Sequence, residues 1–486
     1  MSRAWDERRR ELLTQLKGMG NSGRAENASS DQLTKGFYPV PEHLRLLDPD
    51  VVLVVGPRGS GKTQISKVLT STSLSTAVGR FAPNVRLPSA AEWLEVFPAQ
   101  RHMFEASGLK HFIAKNGHDS TKLREVWLAY LLRLLKDRLD ADSQRELASL
   151  FEPAAAYVDR VHNAFVSLGA APIAALDKLD AALEKDNRHL FVTYDELDTL
   201  GSGDWDLIQA GIQGLVSLWA AYTRRWSHFR AKLFIRTDMY DRHARTGGAD
   251  LYKLAASRVE LSWSSRDLYS MLLKRIANES PELAAYLKEG KSSIHWDEDE
   301  VLGLVPRLKR WEDARPSIER LVGPYMGANQ KKGLVYRWLL DHVRDGVSRV
   351  YPRPLVQMIE QAAGSDASSP DILDRPRLLR PSSLRRALDR ISSDYVRDLL
   401  TELPWLQSVI DKLKVSALVP YAEKDIVRRL DDFQGKDKPP YSGKDLVDYL
   451  IELGVLRRRP DGRIDAPDLY LHGMGLRRKG GVSRKK

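Results

Sequence analysis

The sequence contains no cysteine among its 486 residues. That absence excludes disulfide bonds, cysteine-ligated zinc, iron–sulfur clusters and thiol nucleophiles. Long apolar runs are missing too, because no hydrophobic segment approaches the roughly 20 residues that a membrane-spanning helix needs. The first residues, Met1–Arg8, carry several charges and lack the apolar segment of a signal peptide. Together these absences predict a soluble, cytoplasmic protein with no membrane partner.

Motifs of several hydrolase classes are absent as well. The eleven histidines are scattered rather than clustered as metal ligands. Neither the H-E-x-x-H pattern of zinc proteases nor the G-x-S-x-G nucleophile turn of serine hydrolases occurs. No group of residues typical of a nuclease is present. If the protein damages a target, we therefore expect the damaging activity to belong to a separate effector polypeptide.

The composition is that of an ordinary globular protein with a basic excess. Apolar residues make up 42% and charged residues 29% of the chain, which excludes fibrous and wholly disordered classes. The formal net charge is +11. Residues 371–486 hold 25 Lys+Arg against 18 Asp+Glu, so most of the excess lies at the C-terminal end. The positive charge therefore describes an appendage and not the whole chain.

Hydrophobic patterning predicts an α/β fold followed by helical regions. Short β-branched apolar runs are typical of buried parallel strands, and they occur at Val51–Val55, Leu190–Tyr194, Leu233–Ile235 and Val259–Trp263. Amphipathic helices separate them, which indicates a parallel sheet covered by helices. The predicted domains are an N-terminal arm at 1–37, an α/β core at 38–264 with a helical insert at about 76–188, a helical lid at 265–363, a linker at 364–380, a helical, winged-helix-like domain at 381–476 and a basic tail at 477–486.

A glycine-rich loop directly follows the first predicted strand. It matches the G-x-x-x-x-G-K-[ST] phosphate-binding motif in its usual context of strand, loop and helix. The loop reads Gly56, Pro57, Arg58, Gly59, Ser60, Gly61, Lys62 and Thr63. Its backbone N–H groups and the helix N-terminus suit a β-phosphate, Lys62 suits the β- and γ-phosphates, and the Thr63 hydroxyl suits Mg²⁺. The motif predicts a P-loop NTPase site.

A second strand supplies the carboxylates that such a site needs. Asp195 and Glu196 directly follow Leu190–Tyr194. We expect Asp195 to hold Mg²⁺ and Glu196 to act as the general base that polarises the attacking water. The neighbouring Asp198 is either a supporting residue of the site or a helix N-cap.

The third strand ends in polar residues that lie at the ligand-binding edge of a parallel sheet. We expect Thr237 or Asp238 there to sense the γ-phosphate or the attacking water. A guanine-reading N/T-K-x-D signature is missing after the acidic strand, and Asp177–Asp180 imitates it only upstream, in helical sequence. The expected cofactors are therefore ATP and Mg²⁺.

These motifs, in this order, resemble the AAA+/STAND branch of P-loop ATPases, in particular origin-recognition-like and bacterial phage-defence-type members. Gly56–Thr63 looks like Walker A, Leu190–Glu196 like Walker B, and Ile235–Asp238 like sensor 1. The resemblance covers about residues 38–363. It implies that Arg258, just before the last core strand, acts as an arginine finger on a neighbouring subunit. It also implies a sensor-2 role for Arg353.

One departure from that family is the spacing between the two nucleotide motifs. About 130 residues separate Thr63 from Asp195, longer than in compact AAA+ proteins. The extra length predicts the helical insert and leaves the strand order open.

The C-terminal region predicts helices followed by a β-hairpin. A helix begins after Ser442 and ends before Gly454, and Asp461-Gly462 marks a hairpin turn. The helix in the DNA-reading position of a winged helix is acidic, so only the hairpin arginines Arg457–Arg459 and the tail at 477–486 favour nucleic acid. A protein-contact role is preferred over specific DNA reading, and plain solubility also explains the tail.

Three functions fit these features. The first is an ATP-binding and ATP-hydrolysing switch that couples nucleotide state to homo-oligomerisation or to control of a partner, with bacterial defence implied by resemblance. The second is a DNA-binding AAA+ ATPase that acts as a loader or regulator on nucleic acid. The third is a P-loop kinase that uses the insert as its acceptor domain.

Overall fold

The structure is a computed structural model that describes residues 3–19, 29–99, 104–152, 157–201, 204–245, 249–289, 294–368, 377–434 and 438–479. The chain forms two compact units. The core unit comprises residues 39–262, and the helical unit comprises residues 1–38 together with 263–486. Among the described residues, no helix has both the length and the apolar character that crossing a bilayer requires.

The N-terminal segment begins the helical unit with α1 (Arg3–Gly18) and α2 (Ser30–Gly36). Leu12, Leu13 and Leu16 share one face of α1 and are fully buried, because that face packs on a later helix of the same unit. Buried Arg9 donates a hydrogen bond of 2.8 Å to the Leu378 carbonyl. Helix α1, in the segment predicted as an arm, therefore belongs to the hydrophobic core of the helical unit.

The core unit is built on one five-stranded sheet in which every pairing is parallel. The strands are β1 (Leu53–Gly56), β2 (Ala91–Phe97), β3 (His189–Tyr194), β4 (Phe229–Arg236) and β5 (Val259–Glu260). Their order is β2-β3-β4-β1-β5. The helices are α3 (Pro41–Leu44), α4 (Lys62–Thr70), α5 (Thr72–Gly79), α6 (Ala106–Asn116), α7 (Ser120–Leu134), α8 (Ala141–Glu146), α9 (Ala148–Phe151), α10 (Val158–Ser167), α11 (Ala171–Lys185), α12 (Trp205–Tyr222), α13 (Thr237–Arg245) and α14 (Ala249–Ala255). The predicted α/β class is confirmed.

The predicted helical insert at 76–188 also contributes a strand to this sheet. β2 is an edge strand that pairs with β3 alone, and most of its side chains are partly exposed. Glu92 and Glu95 interrupt its apolar pattern, so its sequence did not predict a strand. The long helix α7 packs against both α12 and this strand: the Trp127 indole donates to the Gly211 carbonyl of α12 at 2.8 Å, and the Tyr130 hydroxyl donates to the Val96 carbonyl of β2 at 2.7 Å.

The helical unit resumes after residue 262. Its helices are α15 (Ser265–Ala277), α16 (Pro281–Lys288), α17 (Arg315–Val322), α18 (Val335–His342), α19 (Pro352–Ala367), α20 (Pro381–Glu402), α21 (Leu406–Lys414), α22 (Glu423–Arg429), α23 (Gly443–Glu452) and α24 (Asp468–Leu471). Its strands are β6 (His295–Asp299), β7 (Gly303–Arg307), β8 (Leu418–Val419), β9 (Arg457–Arg458), β10 (Ile464–Asp465) and β11 (Arg477–Arg478). The antiparallel pair β6–β7 shows that the predicted lid is not purely helical.

The predicted linker at 364–380 is partly ordered. α19 continues through Ala367 because buried Asp366 accepts hydrogen bonds from the Arg380 N–H at 2.7 Å and the Ser383 hydroxyl at 2.7 Å. Those bonds join α19 to the start of α20 across the predicted boundary. Residues 369–376 of the predicted linker lie outside the described residues.

The C-terminal part follows the sequence prediction. α23 begins after Ser442, although the Ser442 side chain makes no capping hydrogen bond. Strands β9 and β10 pair antiparallel around the Asp461-Gly462 turn, and Gly462 adopts a φ of 79°. Helices followed by a hairpin are therefore present. Most of the predicted basic tail, 480–486, lies outside the described residues.

Candidate nucleotide-binding site

The glycine loop between β1 and α4 has the tight geometry that its sequence predicts. Gly59 and Gly61 adopt φ angles of 78° and 100°, the left-handed region that favours glycine. A Cβ atom on Gly56 would lie 2.5 Å from the Ser60 hydroxyl oxygen. Two glycines thus adopt conformations that other residues rarely reach, and the third leaves no room for a side chain beside Ser60.

Lys62 is the first residue of α4, and its side chain folds back over this loop. Its Nζ donates hydrogen bonds to the carbonyls of Gly56, at 2.8 Å, and Pro57, at 3.0 Å. Desolvation lowers the pKa of Lys62 to about 8, while the charge of Asp195 opposes that shift and the charge of Arg236 adds to it. The ammonium group is therefore held in the loop by neutral acceptors, which a phosphate can replace.

The acidic pair lies at the carboxyl end of β3. Asp195 is 3% exposed, and its N–H donates to the Phe97 carbonyl at 3.1 Å. Glu196 has a φ of 53°, a left-handed conformation that is costly for a side chain other than glycine, about 1–3 kcal/mol. A short turn after it, in which the Thr199 hydroxyl donates to the Glu196 carbonyl at 2.8 Å, fixes this conformation. Such strain is typical of functional positions.

The strand β4, which lies between β1 and β3, ends in Arg236, a residue for which the sequence predicted no separate role. Arg236 is paired in register with Gly56 of the loop. Its guanidinium lies 3.3 Å from an Asp198 carboxylate oxygen and 2.9 Å from an Asp238 oxygen. Its position at the end of a central strand, within the run that resembles sensor 1, was the available signal.

The two predicted γ-phosphate sensors lie at the start of α13. The Thr237 hydroxyl oxygen is buried and has no hydrogen-bond partner among the described residues. Burial acts to raise the pKa of Asp238, but the charge and hydrogen bond of Arg236, together with Lys62, outweigh it and hold the pKa below its ordinary value. Asp238 is therefore an ionised partner of Arg236. Its sensing role stays a prediction.

The two arginines implied by family resemblance lie in different units. Arg258 precedes β5 in the core unit, is exposed, and donates to the Tyr240 hydroxyl at 3.0 Å while its guanidinium covers the Tyr240 ring. Arg353 lies in the first turn of α19 in the helical unit. The roles of both in nucleotide chemistry stay predictions.

Mg²⁺ fits the residues at this edge of the sheet. The described residues contain no cluster of three or more His, Asp or Glu side chains that could hold a metal alone. Mg²⁺ does not require one, because it commonly binds one or two protein oxygens together with phosphates and water. Thr63 and Asp195 provide a hydroxyl and a buried carboxylate of that kind.

The run Asp177–Asp180, which imitates a guanine-reading signature, has a structural role. Asp180 accepts hydrogen bonds from three successive N–H groups, those of Ser227, His228 and Phe229. Asp177 pairs with Arg225 at 2.6 Å. These carboxylates hold the turn before β4. That turn lies at the amino-terminal end of the strand, whereas the glycine loop lies at the carboxyl end of its own strand.

The hairpin arginines, which the sequence left open as a non-specific nucleic-acid contact, are paired within the helical unit. Asp465 is fully buried and lies 2.8 Å from Arg457, 3.8 Å from Arg459 and 3.7 Å from Arg478. The remaining pairs follow the same pattern: Arg458 binds Asp448 and Glu423, and Arg463 binds Asp461. The basic run in the sequence is therefore compensated by carboxylates in the fold.

The parallel sheet, the glycine loop after β1 and the acidic end of β3 define the core unit as a P-loop NTPase-type fold. No protein-family model matches the chain, and no curated protein matches it. Solved structures show weak likeness. The Aeropyrum pernix ORC2 protein in its ADPNP–ADP complexes has a TM-score of 0.37 at 14% identity, with 93% of each chain covered.

Two further structures show the same level of likeness. The ADP form of Aeropyrum pernix ORC2 gives a TM-score of 0.32 at 13% identity and covers 93% of this chain and 91% of that chain. Cdc6p from Pyrobaculum aerophilum gives 0.29 at 13% identity and covers 87% of this chain and 86% of that chain.

Proposed function

We propose that the protein is an ATP-binding and ATP-hydrolysing molecular switch that couples its nucleotide state to self-assembly or to control of a partner protein. The observation that carries this proposal is the geometry at the carboxyl edge of the sheet. At that edge, the glycine loop with Lys62 follows β1, and the buried Asp195 and the strained Glu196 follow β3. β1 and β3 are the two neighbours of β4 in the sheet.

Each residue has a task in this reaction. ATP with Mg²⁺ supplies the phosphoryl group and the charge neutralisation that its transfer requires. The loop N–H groups bind the β-phosphate, Lys62 exchanges its carbonyl partners for phosphate oxygens, and Thr63 and Asp195 provide the protein oxygens for the metal. A P-loop lysine suits this task because its compact charge adapts to several phosphate positions.

Glu196 is suited to orient and deprotonate the attacking water. Its left-handed backbone turns the chain sharply after β3, so that its side chain and that of Asp195 do not simply alternate along an extended strand. This arrangement separates the metal ligand from the base. General-base assistance of this kind accelerates a reaction about 10²- to 10⁴-fold.

We propose that the nucleotide state of the switch controls homo-oligomerisation. Arg258 is exposed on the core unit and Tyr240 supports its guanidinium, so it can reach a nucleotide on a second copy of the chain. A guanidinium matches the dispersed charge of a phosphoryl-transfer state. A separate effector protein, in a bacterial defence system, is the partner that we propose for the assembled form. Arg353 of the helical unit is proposed as a further nucleotide contact.

The proposal of a DNA loader or regulator has weaker support. Its hairpin residues Arg457, Arg458 and Arg459 already bind carboxylates of the same unit. Phosphate contacts by these residues would have to break those pairs. Within the tail at 477–486, Arg478 carries the same cost, because it pairs with Asp465 and Asp468.

The decisive experiment is the sedimentation of the Glu196→Gln protein with and without ATP and Mg²⁺. We expect it to retain ATP, to turn over about 10²- to 10⁴-fold slower than the wild type and to shift to a larger species. Glu184→Gln, an exposed glutamate of the same unit, is the matched control. An unchanged sedimentation profile with ATP bound would contradict the switch, and phosphorylation of an acceptor would favour the kinase.

A further inference from the structure

A second concentration of positive charge lies in the helical unit, between β7 and the first turn of α18. Residues 303–338 contain eight Lys and Arg against three Asp and Glu. Five of these cations are exposed and form no ion pair among the described residues: Lys309, Arg310, Lys331, Lys332 and Arg337. We call these five residues the cationic face. They differ from the hairpin arginines, which bind carboxylates of their own unit.

The loop between α17 and α18 presents two of these cations. It closes as a hairpin, in which the Met326 N–H donates to the Gly333 carbonyl at 2.9 Å. Lys331 and Lys332 lie in the short turn just before Gly333, where the Asn329 side chain accepts the Lys331 N–H at 3.1 Å. The loop therefore orders the backbone of both lysines and leaves their ammonium groups in solvent.

Aromatic rings support another part of the cationic face. The Arg337 guanidinium lies 6.0 Å from the Trp311 ring centroid and 5.7 Å from that of Tyr336. Trp311 directly follows Arg310 and packs on Tyr336, with 5.1 Å between the ring centroids. Because Tyr336 is buried and Trp311 already contacts both residues, these rings are a weak platform for stacking a nucleic-acid base. The surface offers charge rather than a base-stacking site.

The opposite charge lies on α23, in the same unit. Asp445, Asp448, Tyr449 and Glu452 are three to four residues apart and so share the outer side of this helix, away from the side that α23 buries. We call these four residues the acidic stripe. Asp445 is exposed and forms no ion pair among the described residues. The neighbouring Lys444 projects about 100° away from it around the helix axis.

Aromatic side chains also accompany the acidic stripe. The Tyr449 ring lies between Trp405, with 6.1 Å between centroids, and Tyr441, with 5.0 Å. Tyr441 is 43% exposed. An accessible ring beside carboxylates suits a Lys or Arg side chain, because the ring face attracts a cation and the carboxylate pairs with it. The same carboxylates repel phosphate, so the stripe fits a cationic protein surface.

We propose that the cationic face of one chain binds the acidic stripe of a second copy of the chain. Lys and Arg side chains of the face pair with Asp445 and Glu452, and one of them lies over the Tyr449 ring. Because the two surfaces are different patches of one chain, the contact is either reciprocal within a dimer or continues from chain to chain. This contact goes beyond the proposed switch, because it needs neither a nucleotide nor Arg258.

Salt is the first test, because exposed charges attract each other less when they are screened. Sedimentation of the wild type is expected to show a species larger than one chain at about 0.05 M salt, with and without ATP. That species should dissociate as the salt concentration rises to about 0.5 M.

Charge reversal tests each surface separately. Lys331→Glu combined with Lys332→Glu reverses part of the cationic face, and Asp445→Lys combined with Glu452→Lys reverses part of the acidic stripe. Each double variant places like charges opposite each other in the contact. Self-association at low salt is therefore expected to weaken at least tenfold in each.

A mixture of the two double variants gives a result that misfolding cannot imitate. The first variant keeps an intact acidic stripe, and the second keeps an intact cationic face. An equimolar mixture should therefore form a two-chain species that neither variant forms alone. Lys110→Glu combined with Lys115→Glu, two exposed lysines of α6 in the core unit, is the matched control and should assemble as the wild type does.

The outcomes separate this inference from the proposed function. A wild type that stays monomeric at low salt, a mixture that does not associate, or an equal loss in the control variant overturns it. A monomeric wild type whose binding to duplex DNA is lost in the Lys331 and Lys332 variant assigns the cationic face to nucleic acid instead. If the mixture associates while ATP leaves the assembly of Glu196→Gln unchanged, the switch fails and the contact between copies stands.

Discussion

Two regions that concentrate basic side chains differ in what those side chains bind. In the glycine loop of the core unit, Lys62 makes its hydrogen bonds with two backbone carbonyls, and no carboxylate of the described residues forms an ion pair with it. In the helical unit, the hairpin residues Arg457 and Arg459, together with Arg478 of β11, approach the buried carboxylate of Asp465. The first region keeps its charge available for an anion, and the second neutralises it internally.

This difference shows why a basic run in a sequence is weak evidence of a ligand. The hairpin is richer in positive charge than the glycine loop, yet its charge completes the fold of its own unit. Neutral acceptors are easily exchanged for phosphate, because no buried carboxylate is left unpaired when they are lost. Four experiments break or sharpen the comparison, beginning with the largest expected effect.

Lys62→Ala removes the exchangeable charge from the glycine loop. We expect the affinity for ATP, measured by calorimetry, to fall about 10- to 100-fold, since hydrogen bonds to charged groups contribute about 1.5–3 kcal/mol. Lys67→Ala, on the same helix α4, is the matched control and should bind ATP as the wild type does. Unchanged ATP binding in Lys62→Ala would contradict the claim that the Lys62 charge is available for a phosphate.

The low pKa of Lys62 predicts a pH dependence of ATP binding. The charged form binds phosphate, and with a pKa of about 8 its population falls as the pH rises from 7 to 9. The affinity should therefore decline over that interval, by up to about tenfold per pH unit above the pKa. Lys62→Arg stays charged throughout, so its affinity, although lower at pH 7, should be flat. Parallel profiles for the two proteins would contradict the role of Lys62.

A structural feature is predictable from the sequence when neighbouring residues determine it, and not when distant contacts do. The glycine loop and the acidic strand end are local motifs, and their residues lie where the sequence places them. The edge strand β2 was missed because Glu92 and Glu95 break its apolar pattern, which a half-exposed strand tolerates. The burial of Leu12 and Leu16 in α1 depends on a helix more than 300 residues away.

Arg236 and the hairpin arginines illustrate a second limit. The choice of partner is a property of the fold even where the charges are close in sequence, so the sequence did not show that Arg457 pairs with Asp465 or Arg236 with Asp198. The sequence indicated the sign of each charge but not its neighbour. That neighbour decides whether the charge binds a ligand or stabilises the protein.

Asp465→Asn tests whether the ion pairs around this buried carboxylate stabilise the helical unit. It leaves Arg457, Arg459 and Arg478 without their buried partner, and because these arginines are about one third exposed, we expect a loss of about 1–3 kcal/mol in the free energy of unfolding. Urea unfolding measures it, and ATP affinity should not change. Asp461→Asn, an exposed partner of Arg463, should cost under about 0.5 kcal/mol. Equal losses in the two variants would show that the buried carboxylate is not special.

The smallest effect is expected where the sequence suggested nucleic acid. Replacing Arg457 and Arg459 with Gln together should change duplex DNA affinity at low salt less than about twofold, because their charge is already balanced by Asp465. Each phosphate contact contributes about 0.9 to the slope of log affinity against log salt, so the double variant should leave that slope unchanged. Deletion of residues 480–486, which contain no acidic residue, should lower it. A slope that falls by about two in the double variant would mean that both arginines leave Asp465 for phosphate, and the hairpin would then resemble the glycine loop in keeping an exchangeable charge.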